Sequence, residues 1–105
     1  MKQVVAIVKP FLAEKVLESL QDAEVEALSV REVKGFGRQK SYLDQYSETD
    51  FDQAFLPKVE VTLWVEDSGA EAIIEKIVAV ARTGRIGDGK IMVFSAAGHD
   101  EVVTL

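Results

Sequence analysis

Two glycine-bearing basic stretches hold the residues of this chain best suited to chemistry: Lys34-Gly35-Phe36-Gly37-Arg38-Gln39-Lys40 and Arg82-Thr83-Gly84-Arg85-Ile86-Gly87-Asp88-Gly89-Lys90. Glycine lets backbone N–H groups close on an anion and adopt dihedrals that other residues avoid, while guanidinium and ammonium groups supply the compensating charge. Arg38, Lys40, Arg82, Arg85 and Lys90 therefore predict an anion site, and two such loops in one short chain predict a nucleotide. Gly84 to Lys90 has the spacing of a P-loop up to its lysine, but Ile91 stands where a Ser or Thr would ligate magnesium. The order is also reversed, with a helical pattern before the glycines and a strand pattern after the lysine. A Walker-type NTPase is thereby excluded. What survives is a glycine-rich helix-to-strand turn suited to a di- or triphosphate, with a tight turn that needs glycine for its dihedrals as the plainer alternative. Gly35-Phe36-Gly37-Arg38 matches a dinucleotide fingerprint only in part, since it follows a strand but opens no helix.

The remaining chemistry is sparse. There is no cysteine and a single histidine, His99, so a thiolate metal site and a cysteine nucleophile are excluded. Asp44, Glu48, Asp50 and Asp52 lack the glycine and distal glutamate of an EF-hand and read as a solvated loop. A metal-ion sensor built on His99 and these acids is one alternative reading. A small nucleotide hydrolase is another, opposed by the missing P-loop hydroxyl and the absence of a nucleophile–base pair. With 12 Lys+Arg against 18 Asp+Glu the net charge is −6, which opposes general affinity for nucleic acid or anionic lipid. The apolar run at the amino terminus is too short for a signal peptide or a membrane span, so a cytoplasmic location without membrane insertion is expected.

The elements that must position the loops follow from periodicity. Val4 to Val8 is a continuous apolar, β-branched run and reads as a strand apolar on both faces. Pro10 suits a helix start, and Leu12, Val16, Leu17 and Leu20 recur at helical spacing between Phe11 and about Glu24. Ala27 to Lys34 reads as a second strand. Val59, Val61, Leu63 and Val65 alternate with Glu60, Thr62 and Trp64 in a third, and Lys90 to Ala96 forms a fourth. Ile73, Ile74, Ile77, Val78 and Ala81 mark a second helix from Gly69 to Arg82. Residues 36–57 follow neither period and exceed the roughly 12–15 residues usual for a structureless connection, which predicts a mobile recognition loop with Tyr42, Tyr46 and Phe51 as partner anchors. One domain over 1–105 is expected, an α+β ferredoxin-like βαββαβ sandwich with a short tail at 97–105. Both helices then cover one sheet face. Trp64, turned to the other, has two readings, packing between subunits or stacking on an adenine.

Four ordered segments carry a resemblance that spans nearly the whole chain: Val5 to Phe11, Glu32 to Lys40, Phe55 to Val59 and Arg82 to Ile91. In them the chain resembles the PII signal-transduction proteins, trimeric regulators of nitrogen metabolism. The resemblance implies a homotrimer with the sheets facing the threefold axis and an adenine nucleotide, ATP, ADP or AMP, in each cleft between subunits. It implies Ile7, Ser29, Gly35 and Trp64 near the adenine, and the phosphates held by Gly37 and Arg38 on one side and by Gly87, Asp88, Gly89 and Lys90 on the other. Gln39 and Lys58 match the residues that help hold Mg2+ and the 2-oxoglutarate carboxylate in responsive members, and Gln39 thereby joins the nucleotide set.

The segment 36–57 then corresponds to the T-loop, through which family members engage target proteins. Its text, Ser41 to Ala54, departs from the usual one. Phe51 replaces the tyrosine that is uridylylated in many members, so that modification is not expected. The tail departs too: Glu101-Val102-Val103 stands where members commonly carry an Arg-x-Arg pair that reaches the phosphates. Each lost charged hydrogen bond should weaken phosphate contacts by about 1–3 kcal/mol, which predicts a preference for, or at least tolerance of, ADP or AMP relative to typical members. The resemblance implies a non-enzymatic signalling protein that regulates a target, a membrane transporter or metabolic enzyme. A metal-ion or bicarbonate-linked regulator of a transport or efflux system is the alternative.

Overall fold

The computed structural model describes residues 1–35, 56–98 and 101–105. Its elements run β1 (Lys2–Val8), α1 (Pro10–Ser19), β2 (Ala27–Gly35), β3 (Leu56–Val65), α2 (Asp67–Ala81) and β4 (Lys90–Ser95). The four strands form one antiparallel sheet in the order β2-β3-β1-β4, the ferredoxin-like βαββαβ arrangement that the alternation of patterns predicts.

The core lies on one side of this sheet because period-two alternation sends one set of side chains there. Val4, Ala6 and Val8 from β1 and Val59, Val61, Leu63 and Val65 from β3 are buried against Val16 and Leu20 of the first helical region and Ala70, Ile73, Ile77 and Ala81 of α2. Register places Gln3 opposite both Trp64 and Phe94, and Val5 opposite Thr62 and Met92, on the other face. That face is apolar in patches, and among the described residues no helix lies above it: Phe94 is 49% exposed, and Ile7, Trp64 and Met92 are half-buried.

Most boundaries lie within about two residues of those the sequence predicts, and two differ by more. The first helix stops at Ser19 rather than near Glu24. The Ser19 hydroxyl donates to the Val16 carbonyl at 2.7 Å, and the next amides bond three residues back, Leu20 to Leu17 and Gln21 to Glu18, which tightens the chain out of the α-helix. Leu20 stays buried, so the apolar period outlasts the helix. The third strand begins at Leu56 and takes in Pro57. β1 ends at Val8, opposite Val59, so at Pro57 the strand has β2 alone beside it, an edge-like setting in which proline is tolerated. The recognition loop expected over 36–57 otherwise lies outside the described residues, as do Gly37, Arg38, Gln39, Tyr42, Tyr46, Phe51 and His99.

Candidate functional site

The α2–β4 turn is built on glycine and on one aspartate. Gly84, Gly87 and Gly89 have φ of 82°, 93° and 94°, a region that residues with a Cβ rarely enter. At Gly89 the demand is doubled: a Cβ would lie 1.9 Å from the Ile7 carbonyl oxygen, so only glycine lets the turn lie against the end of β1. The Asp88 carboxylate draws the turn around itself. Its Oδ2 accepts from the backbone N–H groups of Thr83 and Gly84, each at 2.8 Å. Its Oδ1 accepts from the Thr83 hydroxyl and pairs with Lys9 Nζ at 3.1 Å. The Thr83 hydroxyl in turn accepts from Arg85 N at 3.2 Å and from Lys9 Nζ at 3.3 Å. These bonds, with the Thr83 hydroxyl foremost and then the Gly84 amide, hold the Asp88 carboxyl well below the usual carboxylate range.

Lys58 enters from the start of β3. It is the one buried charged side chain among the described residues, 7% exposed, and its Nζ donates to the Gly87 carbonyl at 2.6 Å. Burial and then the nearby Lys9 charge push its pKa down, while Asp88 opposes them. Lys90 opens β4 opposite Ile7, and Gly35 closes β2 opposite Leu56. One end of the sheet therefore gathers Ile7, Gly35, Lys58, Gly87, Asp88, Gly89 and Lys90, together with the ends of the chain that frame residues 36–55. Two flanking ammonium groups and a glycine turn can hold an anion such as phosphate or carboxylate.

The other expected adenine neighbours lie elsewhere in this protomer. Trp64 sits six residues along β3 from Lys58, roughly 20 Å at about 3.3 Å per residue, opposite Gln3 and Ala27. Ser29 lies between, opposite Thr62, where it lines an open cavity of about 380 Å³ with Gln3, Val5, Val30, Arg31, Glu60 and Thr62. Arg31 Nε pairs there with Glu60 Oε2 at 2.5 Å. Among the described residues, no group of three or more His, Asp or Glu side chains could hold a metal ion, and no helix is long and apolar enough to cross a membrane.

Lys9 and Thr83 are absent from the site expected on sequence. Lys9 occupies the N-cap of α1, a position that favours Ser, Thr, Asp or Asn, and it makes no capping bond. Pro10 holds it extended, and its side chain reaches the turn instead. A lysine in that unsuited place is the signal that could have found it.

Comparison with known proteins agrees over most of the chain. The sequence model of the family described as nitrogen regulatory protein P-II matches residues 1–102. A nitrogen regulatory protein P-II of Rhodobacter capsulatus is 50% identical over 95 residues, covering 90% of this chain and 85% of its own. That of Mesorhizobium japonicum is 46% identical over 105 residues, 100% of this chain and 91% of its own. Nitrogen regulatory protein P-II 1 of Escherichia coli K12 is 42% identical over 97 residues, 92% and 87% of the two chains.

Proposed function

This chain belongs to the nitrogen regulatory protein P-II family, and from that premise we propose that it is a cytoplasmic, non-enzymatic signalling trimer that binds an adenine nucleotide between subunits and regulates a target through residues 36–57. The observation that carries this reading is the preformed turn from Thr83 to Lys90. Its glycines sit at positive φ beside Lys9 and Lys58, at the same sheet end from which residues 36–55 depart. An anion held there touches the frame of the recognition segment, so binding can bias what that segment presents.

The distance between the turn and Trp64 supports the subunit cleft. Ile7, Gly35 and the turn form one wall, and Ser29 and Trp64 of a neighbouring copy form the other. Gly37, Arg38 and Gln39 complete the phosphate side, and Gln39 with Lys58 holds Mg2+ and 2-oxoglutarate. Lys58 suits a carboxylate because its desolvated ammonium already lacks most of its water. The target is a membrane transporter or a metabolic enzyme, gripped by Tyr42, Tyr46 and Phe51.

The tail bears on which nucleotide is preferred. Glu101, Val102 and Val103 are exposed and offer no cation to a γ-phosphate, which favours ADP or AMP relative to members with arginines there. Calorimetric titration with ATP, ADP and AMP, each with and without Mg2+ and 2-oxoglutarate, tests the reading. At least one nucleotide should bind, and Lys90→Ala should weaken it about tenfold or more, since it removes a charged phosphate contact. Absence of binding to the wild-type protein overturns the reading, and ATP binding about tenfold tighter than ADP overturns the stated preference.

A further inference from the structure

A carboxylate inside a turn meant for phosphate is a liability unless its charge is engaged. We infer that Lys9 is the positioning residue of this turn: it draws the Asp88 carboxylate inward and neutralises it, so that the glycine amides and Lys90 are left to face an anion. The inference rests on the anion-site reading above and assigns a role to a residue that the motif spacing leaves out.

The geometry is specific. Asp88 spends its acceptors inside the turn, on Thr83 N, Gly84 N and the Thr83 hydroxyl, and its remaining partner is the Lys9 ammonium at 3.1 Å. Lys9 also donates to Thr83 Oγ1, so one side chain grips both ends of the Thr83–Asp88 contact. Both charged side chains are mostly covered, 14% and 20% exposed, where an ion pair is screened less than at the surface. Lys9 is itself fixed, since Pro10 confines its backbone and its carbonyl accepts from Leu12 N at 3.0 Å. The grip thus joins the end of β1, the start of α1 and the turn before β4. Asp88, expected among the nucleotide contacts, serves in this arrangement through its backbone, with its side chain turned to the fold.

The test uses the full chain and has two arms. Amide hydrogen exchange at Thr83 and Gly84, measured by NMR without nucleotide, should quicken about tenfold in Lys9→Met and stay near wild type in Lys9→Arg, which keeps the charge. ADP titration should show about tenfold weaker binding for Lys9→Met and a partial return in the double variant Lys9→Met/Asp88→Asn, because the uncompensated carboxylate is then gone. A purely steric role for Lys9 gives no such return. Unchanged exchange in Lys9→Met, or a double variant no better than the single one, overturns the inference even where ADP binds the wild type. Failure of ATP, ADP and AMP alike to bind the wild type, with exchange quickened in Lys9→Met, overturns the nucleotide reading and leaves the positioning role standing.

Discussion

Gly84 and Gly89 look alike in the sequence and differ in what surrounds them. Both have positive φ, but a Cβ at Gly84 meets open space, whereas at Gly89 it strikes the backbone of β1. Gly84→Ala should therefore cost only its dihedral strain, about 1–2 kcal/mol. Gly89→Ala should cost about 3 kcal/mol or more, because strand and turn must separate. Urea unfolding of the two variants checks the order, and equal losses would refute the close approach. The glycines themselves were legible from their spacing. Their inequality was not, because it depends on a carbonyl more than eighty positions earlier in the chain, and local pattern carries no trace of such a neighbour. Lys9 was illegible for the same reason: its partners, Thr83 and Asp88, are brought to it only by the pairing of β1 with β4.

At the scale of elements, periodicity located each strand and helix among the described residues because each alternates or repeats against a single core. The apolar stripe Val59, Val61, Leu63, Val65 is buried as expected, and Trp64 is turned to the open face. Ends were less legible, since the halt at Ser19 depends on a hydroxyl competing for a backbone carbonyl. The start of β3 breaks its own pattern: Lys58 is a charge at a buried strand position. Burial lowers its pKa, so the unfolded chain binds more protons as pH approaches the ordinary lysine value, and this residue's penalty on stability shrinks as pH rises. Lys58→Met should leave stability at neutral pH equal or raise it by about 1 kcal/mol, with the gain over wild type narrowing toward pH 10, while carboxylate effector binding is lost. Thermal melts across pH, paired with 2-oxoglutarate titration, check this. A variant less stable by more than about 1 kcal/mol would show that the Gly87 bond outweighs the buried charge.

Across the whole protomer, among the described residues, one sheet face carries no helix and bears Phe94, Met92, Trp64 and Ile7 between polar rows. Self-association through that face predicts a sedimentation mass of roughly three times the 11.6 kDa chain. Trp64→Glu should shift the protein toward monomer with its circular dichroism intact, and a wild-type monomer at micromolar concentration would refute the assembly. The sequence made the bare face visible, through β1 being apolar on both sides, but not the distance along β3 that separates Trp64 from the turn within one chain. The rung between Gly35 and Leu56 has a different consequence. It fastens the two described ends of the intervening segment to adjacent strands, which fixes where that insert leaves the sheet and where it returns. Closing a flexible loop costs about 0.6 kcal/mol more for each doubling of its length. A cassette stitched in at this rung can therefore be lengthened at little cost to the β2–β3 register, and edits that spare Gly37, Arg38 and Gln39 leave the proposed phosphate contacts in place. On the proposed function, such edits change the target without redesign of the anion site.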